Sequence, residues 1–135
     1  LGLSDLPLVL AVPEGVFDDP IVPASAAQFF GDPRHLLIAA LEGGTIVALA
    51  SAVVYIHPDK ARPEMWINEV GVAESHHRRG IGRWLMSAAV DEARKAGCSV
   101  VWVQTEEDNG PARALYRASG AEEISGVMHY EIKVI

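Results

Sequence analysis

The stretch Val72-Ala73-Glu74-Ser75-His76-His77-Arg78-Arg79-Gly80-Ile81-Gly82-Arg83 decides the reading of this chain. It joins a strand-like apolar run to a helix-like pattern. Gly80 and Gly82 let the backbone approach a bulky group closely and adopt conformations closed to other residues. The helix N-terminus beyond them offers unpaired N–H groups and the positive end of the helix dipole. Arg78, Arg79 and Arg83 add positive charge. Together these features point to a phosphate or pyrophosphate seat built mostly from backbone amides. A glycine-containing turn with solvated arginines stays open as the alternative, because a short Gly-x-Gly is weak evidence. The stretch is not a P-loop, since no Gly-Lys-Ser/Thr follows. It is not a full dinucleotide fingerprint either, since Leu85 stands where the third glycine would be.

Outward from this turn, the elements alternate. Upstream, Leu36–Leu41 and Thr45–Ile56 are apolar runs separated by Glu42-Gly43-Gly44, which reads as a β-hairpin. Glu64–Ala73, with Trp66, Ile67, Val70 and Val72, reads as a third strand. Downstream, Ile81, Leu85, Ala88, Ala89, Ala93 and Ala96 recur at helical spacing, with Gly97 as the C-terminal stop. Ser99–Gln104 reads as a buried strand. The acidic loop Glu106-Glu107-Asp108-Asn109-Gly110 leads to Pro111 and a helix over Ala112–Ser119, closed by Gly120. Met128–Ile135 is expected to be a final strand. A short helix is expected over Pro23–Phe30, and the rest of the first third is irregular. The order predicts an α/β (α+β) layer with a mixed sheet and a right-handed strand–helix–strand crossover at its centre.

The chain of 135 residues is the size of one domain and can bury a core without staples. Eleven Lys and Arg against 18 Asp and Glu give a net charge of −7, a poor match to nucleic acid or an anionic membrane. The single cysteine, Cys98, excludes an intrachain disulfide framework and a multi-cysteine zinc site, and it fits a reducing compartment, hence a cytoplasmic location. No apolar run is long enough to span a bilayer as a helix. The first residue is Leu rather than Met, so the natural protein is expected to start upstream.

Two motifs together carry a family resemblance. Arg78-Arg79-Gly80-Ile81-Gly82-Arg83 lies between a strand and an amphipathic helix, and Asn109-Gly110-Pro111-Ala112-Arg113-Ala114-Leu115-Tyr116 follows at a fitting distance. The pair resembles the acetyl-coenzyme A signature of the GNAT superfamily of N-acetyltransferases, over about Leu36 to the C-terminus. Trp66-Ile67-Asn68-Glu69-Val70-Gly71-Val72, Val103-Gln104 and Val127-Met128-His129-Tyr130-Glu131-Ile132 are similar to its aminoglycoside 3-N-acetyltransferase branch. The resemblance implies a GNAT fold with acetyl-CoA as co-substrate. The backbone of Val70 and Val72 would bind the pantetheine arm. The amides of Arg78, Arg79, Gly80, Ile81, Gly82 and Arg83 would hold the pyrophosphate. Asn109 would contact the pantetheine or adenosine side, and Tyr116 would protonate the leaving thiolate. It also implies a homodimer as the usual assembly, with Trp84 as a candidate contact. Two positions depart from the pattern: His77 stands where Gln or Arg is usual, and Ala121 follows Gly120 where Phe is usual.

Acetyl transfer to an amine needs a neutral nitrogen, and a primary amine with a pKa near ~10.4 is mostly protonated at neutral pH. A carboxylate within reach takes that proton. Glu69 is the first candidate, since the aminoglycoside branch carries an acid there. Regular alternation puts Asn68 and Glu69 on opposite faces, and a bulge would change which one faces the cleft. Gln104 stands where other members carry a Glu; it can orient substrate but cannot act as a base. The chain is thus expected to acetylate an amine of a small cationic substrate, with an aminoglycoside as leading candidate, by direct attack in a ternary complex. A metabolite or protein amine as acceptor, and a non-catalytic CoA-binding sensor, remain as alternatives. Glu14, Asp18, Asp19 and the loop Glu106–Asp108 are candidates for attracting a cation. No metal site is expected. His57, His76 and His77 lack a supporting ligand pattern, and Cys98 is expected to be a small buried residue rather than a nucleophile.

Overall fold

The computed structural model describes residues 1–135. After a 3-10 turn, helix α1 (Leu6–Leu10) and helix α2 (Pro23–Gly31) precede the sheet. Strands β1 (His35–Glu42), β2 (Thr45–Tyr55) and β3 (Glu64–Val72) form an antiparallel meander. Helix α3 (Ile81–Lys95) crosses over to β4 (Val101–Val103), which pairs parallel to β3, and helix α4 (Gly110–Ala118) follows. The strand order is β1-β2-β3-β4. This is the mixed sheet with a strand–helix–strand core expected from the sequence.

Two cores lie on opposite faces of the sheet. Val9, Val16, Leu37, Ile46, Leu49 and Ala73 pack on the α1/α2 face. Ala52, Met65, Ile67, Met86, Ala89 and Ala93 pack on the α3 face. Helix α3 is amphipathic because Leu85, Met86, Ala89 and Ala93 recur at three- and four-residue steps and all point at the sheet. Burying Leu85 and Met86 contributes about 1.5–3 kcal/mol each.

A register shift between β2 and β3 sets the functional geometry. Ser51 pairs with Glu69 and Ala52 pairs with Ile67, so Asn68 is an extra residue bulged out of β3. Before the bulge, Met65 and Ile67 face α3. Strict alternation would then turn Glu69 toward α3 as well. The extra residue moves Glu69 to the α1/α2 face, beside Ser51 and opposite Val70.

The final strand expected over Met128–Ile135 does not form. Residues 121–135 carry no helix or strand and are exposed throughout. Alternation reports that a segment is able to pair; the outer edge of β4 is open, and the segment makes no hydrogen bond to it. Here Glu123 is clamped to Arg113 and Arg117 on α4, at 2.6–3.2 Å, and the chain beyond it makes no backbone hydrogen bond to the rest of the fold.

Candidate active site

Strands β3 and β4 pair only at Met65–Val101, Trp66–Trp102 and Ile67–Val103. Past that point they part. The edge of β3 from Asn68 to Val72 therefore has no strand on the side away from β2, and Gln104 at the end of β4 is exposed. The opening brings Val70, Val72 and Glu69 to one place on the sheet. Below it, the pair is fastened: Trp66 and Trp102 stack with ring centroids 5.4 Å apart and planes 14° from parallel. The Trp102 indole N–H donates to the Tyr55 hydroxyl, and that hydroxyl donates to Glu64 Oε1 at 3.3 Å.

Glu69 is held from the N-terminal segment. The Asp18 backbone N–H donates to Glu69 Oε1 at 2.7 Å. Partial burial is the largest influence on this carboxyl and pushes its pKa up. The Asp18 amide opposes that shift, while the charges of Asp18 and Asp19 add to it. The segment reaches Glu69 because of Gly71. A Cβ built there would lie 1.7 Å from the Val16 carbonyl oxygen, a backbone atom that cannot swing aside. Only glycine lets Val16 sit against β3, and Asp18 follows two residues later. Gly71 and the Asp18 amide are site residues that the sequence reading did not assign. A glycine inside a strand is the signal that marks close backbone approach.

The turn into α3 is shaped for an anion. Arg78 has φ +63° and Gly80 has φ +75° in the left-handed region, so successive amides curl toward one side. No acceptor within the chain takes the amides of Arg78, Arg79, Gly80, Ile81, Gly82 or Arg83. Arg79 also faces Glu42 at 3.5 Å. His77, at the position where the resemblance leads one to expect Gln or Arg, is engaged elsewhere: its Nε2 lies 2.8 Å from the Val72 carbonyl oxygen. His76 lies between Ser75 and Glu42, at 2.7 and 2.9 Å. Gly82 packs against Leu115, whose methyl would meet a Cβ at 3.1 Å, and so fixes α4 on α3.

Helix α4 carries the remaining candidates. Asn109 is its N-cap, with Oδ1 accepting from the Ala112 N–H at 3.1 Å. Tyr116 packs on the α3 core, half-buried, and burial raises its phenol pKa, so the hydroxyl keeps its proton at neutral pH. Glu69 and Tyr116 thus approach from opposite faces of the sheet, with the β3/β4 opening between them. Cys98 is half-buried, and burial raises its thiol pKa, which suits a packing residue better than a nucleophile. No group of three or more His, Cys, Asp or Glu side chains is placed to hold a metal ion. No helix is long and apolar enough to cross a membrane.

A splayed parallel pair, a helix opened by an amide nest, and a second helix closing over it define an acyltransferase-type architecture, and the chain belongs to the acetyltransferase (GNAT) family, whose pattern matches residues 8–121. It is 33% identical over 110 residues to N-alpha-acetyltransferase RimI of Mycobacterium tuberculosis, covering 81% of this chain and 66% of that protein, just under two thirds of its length. It is 26% identical over 123 residues to the [Ribosomal protein bS18]-alanine N-acetyltransferase of Escherichia coli K12, covering 91% and 78% of the two chains. Among solved structures, the aminoglycoside acetyltransferase HMB0005 from an uncultured soil metagenomic sample superposes with a TM-score of 0.83 at 26% identity, over 100% of this chain and 95% of that one.

Proposed function

We propose that this chain is a single-domain, acetyl-CoA-dependent N-acetyltransferase for an amine of a small cationic substrate, with an aminoglycoside as the leading candidate. The observation that carries the reading is Glu69, turned by the Asn68 bulge to the mouth of the β3/β4 opening and surrounded by Asp18 and Asp19. Three carboxylates at one mouth favour a cationic acceptor, and the raised pKa of Glu69 brings it closer to the working range of a general base.

The fit to acetyl-CoA rests on two features of the chain itself. The unpaired edge of β3 offers backbone groups to an amide-bearing arm, as an added strand would use them. The unaccepted amides of residues 78–83, at a helix N-terminus flanked by arginines, suit a pyrophosphate. Acetyl-CoA supplies the thioester acyl group. Glu69 takes one proton from the acceptor ammonium, directly or through water, freeing the nitrogen lone pair for attack. The Val70 N–H meets the developing oxyanion. The C–S bond breaks as the Tyr116 O–H donates its proton to the thiolate sulfur, and the second proton of the attacking nitrogen passes to the Tyr116 phenolate, so that a neutral amide and a free thiol leave. Asn109 and the Arg78–Arg83 turn hold the two ends of the cofactor. No covalent acyl-enzyme is required.

A second acceptor class, a protein or peptide amine, is favoured by the sequence relatives, two of which are named N-alpha-acetyltransferase RimI and [Ribosomal protein bS18]-alanine N-acetyltransferase. One assay separates the two. Free-thiol release from acetyl-CoA is followed over aminoglycosides, polyamines, amino acids and peptides with an N-terminal alanine, with Glu69→Gln and Tyr116→Phe beside the wild type. The expected result is release with an aminoglycoside, reduced about 10²-fold or more by each substitution. Turnover confined to the alanine peptides replaces the acceptor assignment. CoA binding with only background hydrolysis on every amine overturns the catalytic reading in favour of a sensor domain.

A further inference from the structure

Strand β2 is buried without a break from Ile46 to Ala52, and of the 17 buried residues in the chain only Ser51 is polar. A hydroxyl in such a run costs free energy unless it finds a hydrogen-bond partner. No other group of the chain bonds to it. Yet it is not among the side-chain polar atoms sealed from solvent without a partner, which are His57 Nε2 and Trp66 Nε1. The Ser51 hydroxyl therefore keeps a path to the surface. Its place in the sheet says what lies along that path. Ser51 pairs with Leu37 on β1 and with Glu69 on β3, so the three stand in one row. Leu37 and Leu49 pack on the α1/α2 face and Ala52 on the α3 face, which points Ser51 to the α1/α2 face. Glu69 is turned to the same face by the bulge.

Glu69 has room for a second donor. Its Oε1 accepts from the Asp18 N–H at 2.7 Å, and Oε2 accepts from no group of the chain. Asp18 and Asp19 meanwhile bear on the carboxylate with like charge. Residues directly opposite in an antiparallel ladder hold their Cβ atoms about 4.5–5.5 Å apart, within reach of a hydroxyl and a carboxylate by side-chain rotation alone. We propose that Ser51 is a positioning residue: its hydroxyl donates to Glu69 Oε2, directly or through one water, while the Asp18 amide holds Oε1, and the two donors fix the carboxylate in the orientation that meets the acceptor. The proposal rests on the reading of Glu69 as the base. Each carboxylate oxygen keeps a further lone pair, so a proton can still be taken. The bulge and the serine are two halves of one device. In unbroken register Ser51 would stand opposite Asn68, with Glu69 on the other face of the sheet.

Three substitutions separate a positioning hydroxyl from a packing atom. Ser51→Ala removes the oxygen and adds no bulk. Ser51→Thr and Ser51→Val add nearly the same bulk and differ in the hydroxyl. The Glu69 carboxyl is titrated by carboxyl-carbon NMR in the free protein, its signal assigned by its loss in Glu69→Gln. Free-thiol release from acetyl-CoA over the same amine panel is measured beside it. The Glu69 midpoint should rise by about 0.5–1 pH unit in Ser51→Ala, because a donor to the ionised form is gone, and Ser51→Val should titrate above Ser51→Thr. On the neutral plateau, kcat/KM for the amine should fall roughly 3–10-fold in Ser51→Ala, with KM for acetyl-CoA unchanged. Ser51→Thr should exceed Ser51→Val in kcat/KM by a similar factor. An unmoved midpoint in Ser51→Ala overturns the proposal. Equal shifts in Ser51→Thr and Ser51→Val assign the effect to crowding and overturn it too. A moved midpoint with unchanged kcat/KM overturns the positioning role. A moved midpoint in a protein whose wild type acetylates none of the amines upholds the contact and overturns the base assignment of Glu69 instead.

Discussion

The two ends of the β3–β4 pair do opposite things with the same backbone. At the lower end, Trp66 stacks on Trp102, and the indole, Tyr55 and Glu64 form a chain of hydrogen bonds that fastens β4 to β2 and β3. At the upper end the strands part after Ile67 and Val103, and the β3 edge is left for other groups. The difference lies in what each end is given to bury. The fastened end has aromatic surface on both strands. The open end has a bulge at Asn68 and a carboxylate that burial disfavours as an ion. An opening in a sheet is thus maintained by a clasp beside it, and strength at one end is a condition of access at the other.

Four substitutions test that contrast, in descending order of expected effect. Glu69→Gln should lower kcat/KM by roughly 10²–10⁴-fold and remove the acid limb of its pH profile. In the wild type that limb should lie above the ordinary carboxylate value of about 4.3, because Glu69 is raised. The same shift has a stability sign. A carboxyl that holds its proton more tightly when folded favours the fold below its unfolded pKa and loses that contribution as pH rises through the folded value. Glu69→Gln should therefore melt higher than wild type at neutral pH, with the gain shrinking toward pH 4.

Gly71→Ala should displace the Val16 carbonyl and with it Asp18, at a stability loss toward the upper part of about 1–3 kcal/mol. Denaturant unfolding reads the loss, and the pH profile of kcat/KM reads the displacement of Asp18 from Glu69. At the clasp, Tyr55→Phe should remove about 0.5–1.5 kcal/mol of stability. Its KM for acetyl-CoA should then rise more than its kcat falls, since the cofactor edge rests on this fastening. An unchanged KM would show that the two ends are independent. Asp19→Asn, the mildest change, should lower the acid limb by roughly a few tenths of a pH unit by removing one nearby negative charge.

Much of this was legible from residues alone. The Gly43-Gly44 hairpin, the period of Leu85, Ala89 and Ala93, and the glycine-arginine turn each have a local cause, and each appears where that cause puts it. The Asn68 bulge was legible only as a possibility, because nothing in a period-two pattern marks where one extra residue enters. The Asp18 amide was beyond reach for a different reason. It is a backbone group, 51 residues from the carboxylate it bonds, and no side-chain pattern records it. The expected last strand shows the limit in reverse: Met128, Tyr130, Ile132 and Val134 alternate as a strand does, and alternation does not supply a partner.

The contact between Val16 and Gly71 also bears on the order in which the molecule assembles. Residues 1–34 leave the ribosome before the sheet does, yet their seats are on strands completed only at Val72. Loop closure over such separations is slow compared with a hairpin or a helix turn. A segment made before the sheet is therefore among the last to dock on it, and until it docks Glu69 is a carboxylate in water like any other.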